Sequence, residues 1–150
     1  MSAPDSPAPA SLFVRLAALL YDALLLLAVL FVATALLLPL TGGQAMQPHN
    51  PFYSTYLLFI SFFFFGWFWM HGGQTLGMRA WRLQLRRLDG RPLTWWHVLL
   101  RFLTAIPSWA LVGLGYWWML VDRRRLTWHD RLSETCVVRL AENPDRYRRD

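Results

Sequence analysis

Residues 13–40 read FVRLAALLYDALLLLAVLFVATALLLPL, and the fold turns on what this stretch is. Between Leu16 and Leu38 lie 23 residues whose single charge is Asp22. As a helix they extend roughly 35 Å at about 1.5 Å per residue, enough to cross a hydrocarbon core of about 30 Å. A second uncharged run, the 19 residues from Phe52 to Met70, gives about 29 Å on the same arithmetic. The 150-residue chain is 55% hydrophobic, and its apolar residues fall in blocks rather than on alternating faces. Both runs are expected to span a membrane, at about 16–38 and 52–70.

The first run does not read as a cleaved signal. Only MSAPDSPAPAS precedes it, with no basic residue, and it exceeds the length of a signal's apolar region. Residues 1–11 are expected to form a disordered lead, 12–140 the membrane domain and 141–150 a basic flexible tail. The single cysteine, Cys136, excludes an internal disulfide.

A net charge of +6 raises the question of nucleic acid, but the arginines are placed as a membrane protein places them. They collect in two blocks, Arg79 to Arg91 and Arg123 to Arg149, beside apolar segments, while the loop 39–51 carries no charge. Basic residues flanking spans mark the cytoplasmic side and meet anionic lipid headgroups. No basic face lies outside that pattern, so nucleic-acid binding is not expected. The topology that follows has both termini in the cytoplasm and the loop PLTGGQAMQPHNP on the far side. Eleven residues of the second run are aromatic; a quinone or aromatic-ligand site there is weighed against bulky packing and lipid-facing side chains, and the latter is preferred.

HGGQTLGM superficially resembles a phosphate loop, but Met78 stands where the lysine belongs and no strand precedes it. Trp81, Leu83 and Leu85 alternate with Arg82, Gln84 and Arg86, the period of a half-buried strand. LDGRP then signals a turn, and TCVVRL is a second β-favouring run; the two are expected to pair as a small cytoplasmic sheet.

Residues 94–121 pose a parity problem, because the arginine blocks on either side both belong in the cytoplasm. Pro107 breaks the run, and Thr94, His97, Arg101 and Thr104 form a polar stripe at helical spacing. Residues 94–106 are therefore read as an amphipathic helix at the cytoplasmic interface and 108–121 as a second short helix, a re-entrant hairpin. The alternative is a third span with the tail outside. The fold class expected is an all-α membrane protein with two full spans, this hairpin and the strand pair.

Arg15 sits at the mouth of the first run and reaches the headgroups; Asp22, seven residues on, does not. A carboxylate there needs a cation partner or a wet cavity. Arg101 is the preferred partner and Arg15 the other. Two readings stay open: Asp22 as an ion or proton site, or as one end of a buried ion pair locking helices together. Asp130 is expected to pair with a nearby arginine or to cap the turn before the last strand. His129, Asp130 and Glu134 match no metal-binding spacing, even with His71 or His97 added. No cofactor and no catalytic constellation is visible, so no enzyme activity is expected.

The ordered motifs VRLAALLYDALL, GGQTLGMRAWRLQLRRLDGRPLT, LLRFL and DRRRLTWHDRLSETCVV resemble the RDD family of small bacterial membrane proteins, named for one arginine and two aspartates. Arg15, Asp22 and Asp130 occupy the matching positions, with Gly77, Asp89, Gly90, Arg101, His129 and Thr135 as further matches over about residues 12–140. Met78 departs from an expected lysine, and SETCVV from a smaller Ala/Gly-rich run. The resemblance implies a multi-pass inner-membrane protein, with transport suggested as an activity. Two functions are carried forward: an oligomeric transport or ion-coupling module built on Asp22, and a structural or interaction subunit docking on other membrane proteins, in which Arg15, Asp22, Arg101 and Asp130 are architectural.

Overall fold

The computed structural model describes residues 10–44, 49–111 and 113–140; the expected lead and tail lie largely or wholly outside them. Helix α1, Leu12–Leu37, is followed by a 3-10 turn, Leu38–Thr41, that ends on Gly42 in the left-handed conformation. Helix α2, Pro51–Met70, begins with proline at its first position, and the Asn50 side chain accepts hydrogen bonds from the backbone N–H groups of Phe52 and Tyr53. Both helices match the expected runs to within a few residues.

Their burial pattern is inverted relative to a water-soluble protein. In α1 the buried positions are Arg15, Ala18, Asp22 and Ala33, while Phe13 (76% exposed), Leu24 (62%) and Phe31 (75%) face outward. Arg15, Ala18 and Asp22 follow helical spacing, so one short stripe near the head of α1 faces protein and the rest of the helix is bare. Aliphatic and aromatic side chains left exposed along more than 20 Å of helix are stable in lipid and not in water. Among the described residues, α1 with its following turn and α2 are the two helices long and apolar enough to cross a membrane. Where they touch, Tyr53 and Thr34 share a hydroxyl hydrogen bond of 2.9 Å and the Tyr56 hydroxyl donates to the Ala33 carbonyl at 3.2 Å. Small and hydroxyl-bearing residues of this kind join helices where the hydrophobic effect gives no preference.

Below the foot of α2 the chain forms a compact cap: helix α3 (Leu76–Ala80), strand β1 (Leu83–Arg87), helices α4 (Trp95–Ala110), α5 (Leu114–Val121) and α6 (Trp128–Leu132), and strand β2 (Thr135–Arg139). The strands pair antiparallel, with Leu83 opposite Arg139 and Arg87 opposite Thr135. Leu83, Leu85 and Val137 form one core with Ala10, Ala18 and Met78, so the sheet packs directly on the stripe of α1. The backbone N–H of Ala10 donates to Val137 at 3.2 Å, which brings the two ends of the described chain together.

Two sequence expectations are corrected here. β1 starts at Leu83 and not at Trp81, because Trp81 terminates α3 and Arg82 takes a positive φ of 54°. The hairpin does not break at Pro107: α4 runs through it to Ala110, and the turn comes at Gly113, φ 74°. A proline removes the hydrogen bond of its own nitrogen, and here later contacts hold the turn beyond it. The fully buried Ser108 accepts from the Gly115 N–H through its hydroxyl at 3.1 Å and from the Gly113 N–H through its carbonyl at 2.8 Å. A Cβ on Gly115 would meet the Ser108 side chain, so α5 approaches this closely because residue 115 is glycine.

Candidate functional site: a buried arginine–aspartate cluster

The cluster forms where the head of α1, the middle of α4 and the short helix α6 converge. α6 is nucleated by a capping box: Thr127 Oγ1 accepts from the Asp130 N–H, and Asp130 Oδ2 accepts from the Thr127 N–H, both at 3.2 Å. This places the Asp130 carboxylate, fully buried, between two guanidinium groups. Arg15 Nη1 donates to Oδ2 at 2.5 Å, and Arg101 Nη1 donates to Oδ1. Arg15 uses its other two nitrogens as well, and Arg101 makes a second bond through Nη1. Arg15 donates through Nε to the Ala10 carbonyl (3.2 Å) and through Nη2 to the Val137 carbonyl (2.9 Å); Arg101 Nη1 reaches Thr135 Oγ1 (3.0 Å), and its guanidinium lies 5.3 Å from the centre of the Trp69 ring.

Burial alone would raise the Asp130 carboxyl, but Arg101 and Arg15 outweigh it and hold the group well below the ordinary carboxylate range. The neighbouring imidazole behaves oppositely. Burial, reinforced by Arg101 and opposed by Asp130, pushes His129 down to about 3, so the ring is neutral at ordinary pH. It packs edge-on against the Tyr116 ring at 4.8 Å between centres.

Asp22 stands apart from this cluster, which corrects the expected Asp22–Arg101 pair. Its Oδ1 accepts from the Gly77 N–H at 2.8 Å and its Oδ2 from the Thr75 hydroxyl, which also caps α3 by accepting from the Met78 N–H at 3.2 Å. Neutral donors thus take the place of the cation. They reach the carboxylate because Gly77 lies against α1: a Cβ there would run into the Ala18 carbonyl oxygen and come within 2.9 Å of the Asp22 carboxylate. Asp130 likewise takes the two distant arginines, while the nearby Arg131 pairs with Asp122 at 2.6 Å.

Of the four residues singled out in the sequence, Arg15, Arg101 and Asp130 come together, and Asp22 sits two turns along α1 on the same face. Thr75 was not singled out as a partner; its signal was a Thr-Leu-Gly start to a short helix. Tyr116 was missed as well, an aromatic in a Trp-rich run without a distinguishing mark. A small cavity of about 60 Å³ touches Arg15, Asp22 and Tyr116. A larger one of about 260 Å³ lies between α2, α4 and the His129 ring.

Two bare apolar helices standing on a cap sealed by buried charges define a small helical membrane protein. The chain belongs to the RDD family, whose profile matches residues 9–134. No curated protein and no solved structure matches the chain.

Proposed function

We propose that the protein is a multi-pass protein of the bacterial inner membrane with both termini cytoplasmic, in which the arginine–aspartate cluster is a clasp that fixes a cytoplasmic cap to two spans. In this reading it serves as a structural or interaction subunit, and no reaction is assigned to it. The observation that carries the proposal is the full engagement of the Asp130 carboxylate: enclosed in protein, it accepts from Arg15, Arg101 and the Thr127 N–H, and through Arg101 it reaches Thr135 at the start of β2, so it ties α1, α4 and the strand together. A carboxylate so fully bonded has little left with which to bind and release an ion.

The pairing of β1 with β2 supports the re-entrant topology, since residues 88–134 leave and return on the same side. α4, at 16 residues with Pro107 inside, is short for a crossing. Exposed Arg79, Arg123, Arg124 and Arg139 on the cap suit contact with anionic headgroups. The bare aromatic face of α2 suits packing against a second copy or another membrane protein. A reporter fused after Asp150 tests the topology, and an external signal would overturn it.

The second reading is a transport or ion-coupling module built on Asp22, favoured by the cavity of about 60 Å³ that reaches its side chain. Asp130→Asn and Asp22→Asn together separate the two. Loss of folded Asp130→Asn protein from the membrane supports the clasp, and an unchanged level would end it; a normal level of Asp22→Asn with loss of the protein's cellular phenotype supports transport, and an unchanged phenotype would end that reading.

A further inference from the structure

The larger cavity adjoins the clasp through Trp69, but Arg15, Arg101 and Asp130 do not line it. Phe65 and Trp69 of α2 and Phe102 of α4 give it aromatic walls, and Ala105 leaves space on the α4 side. Its volume of about 260 Å³ exceeds the roughly 150 Å³ that admits benzene in an engineered apolar cavity. Ile106 also lines it and is 44% exposed, so the cavity communicates with the apolar outer surface from which a lipid-dissolved molecule would enter.

Two hydrogen-bonding side chains, His129 and Tyr116, line this apolar space. His129 is 2% exposed and its Nδ1 is enclosed without a hydrogen bond. Tyr116 is half-buried, its ring touches His129, and no residue among those described bonds its hydroxyl. Buried polar groups are nearly always satisfied, and an unsatisfied one calls for an explanation. With its N–H on Nε2, the neutral imidazole adds one donor to the O–H of the phenol. The complementary ligand presents an acceptor oxygen on a flat ring that stacks between aromatic walls.

We propose that this cavity is a binding site for a one-ring, membrane-soluble carbonyl compound of the benzoquinone type, whose oxygen accepts hydrogen bonds from His129 and Tyr116. The site is reached from the bilayer and is separate from the clasp, so it stands whether or not the cluster is architectural.

The test uses the full chain in lipid nanodiscs with duroquinone, a fully methylated benzoquinone that offers Cys136 no open ring position. Binding is read as quenching of tryptophan fluorescence, Trp69 being in the wall. Durene, the same ring and methyl groups without oxygen, is the competitor. Saturable quenching is expected, with durene displacing the quinone only at tenfold or higher concentration. Ala105→Phe, which fills the cavity, should abolish the saturable phase, and His129→Phe should weaken it at least fivefold. Quenching that rises linearly and equally for a membrane-dissolved tryptophan ester would mean partition into lipid only and would overturn the proposal. Equal competition by durene would reduce the site to an apolar void filled by lipid chains, and saturable binding unaffected by Ala105→Phe would place it elsewhere; both also overturn it. The durene comparison uses the unaltered chain and so does not depend on either variant folding.

Discussion

Arg15 and Asp130, 115 positions apart in the chain, meet at 2.5 Å inside the protein. With Arg101 on the second oxygen, the carboxylate serves two cations, and neither arginine has another carboxylate within ion-pair distance among the described residues. The cluster is therefore sensitive to loss of its one anion. Asp130→Asn leaves two guanidinium groups buried without a counter-charge, which costs about 3–5 kcal/mol for a broken buried pair. The expected outcome is a large fall in folded protein extracted from membranes. Arg101→Gln should cost less, since Asp130 keeps Arg15 and its own cap.

A double-mutant cycle makes the same point quantitatively. Arg101→Gln combined with Asp130→Asn should destabilise by less than the sum of the single changes, with a coupling on the order of 0.5–3 kcal/mol. Additive effects, measured by denaturation in mild detergent, would mean that the two side chains do not share one interaction.

Stability should fall on acidification in two stages. His129 is depressed in the folded protein to about 3, against about 6.5 when unfolded. The unfolded chain therefore takes up the proton first. His129's contribution is whole above about pH 6.5 and is lost as pH falls toward 3, with a slope of up to about 1.4 kcal/mol per unit. Asp130 is depressed too, so its contribution is present above about pH 4 and disappears below it. Melting temperature followed from pH 7 to 4 should decline in the wild type and flatten in His129→Phe.

Gly77→Ala tests the seat of Asp22. The added methyl forces α3 away from the Ala18 carbonyl, lengthening the Gly77 N–H bond to Asp22. Its cost should exceed the roughly 1 kcal/mol of Gly90→Ala, where the left-handed φ of 74° is strained but no atom lies within 4 Å. Thermal stability of the two variants side by side decides this; equal shifts would show that α3 moves freely.

How much of this was visible in the sequence depended on whether the information was local. The spans were, because an uninterrupted apolar run of membrane length has few alternatives. The strand pair was, from the alternation around Leu83 and Leu85 and from the β-favouring run TCVVRL that contains Val137 and Val138. The capping box of Thr127 and Asp130 was not read, although its three-residue spacing is local; Asp130 was expected to pair with a nearby arginine or to cap the turn before the last strand. The partner of Asp22 was not, because it is a backbone N–H and a threonine hydroxyl, and neither carries a charge that a search for counter-ions detects. The helix through Pro107 was missed because the contacts that hold it, Ser108 to Gly113 and Gly115, come from the turn and helix that follow.

The bond between Ala10 and Val137 and the meeting of Arg15 with Asp130 also set an order in time. At ~5–20 residues per second, synthesis reaches residue 130 about 6–23 s after residue 15. Throughout that interval Arg15 lacks its anion, and the cap cannot close over the head of the first span. Asp130 and Val137 thus complete a structure opened by Ala10 and Arg15, and a ribosome that stalls before Asp130 leaves the head of the first span without its closure.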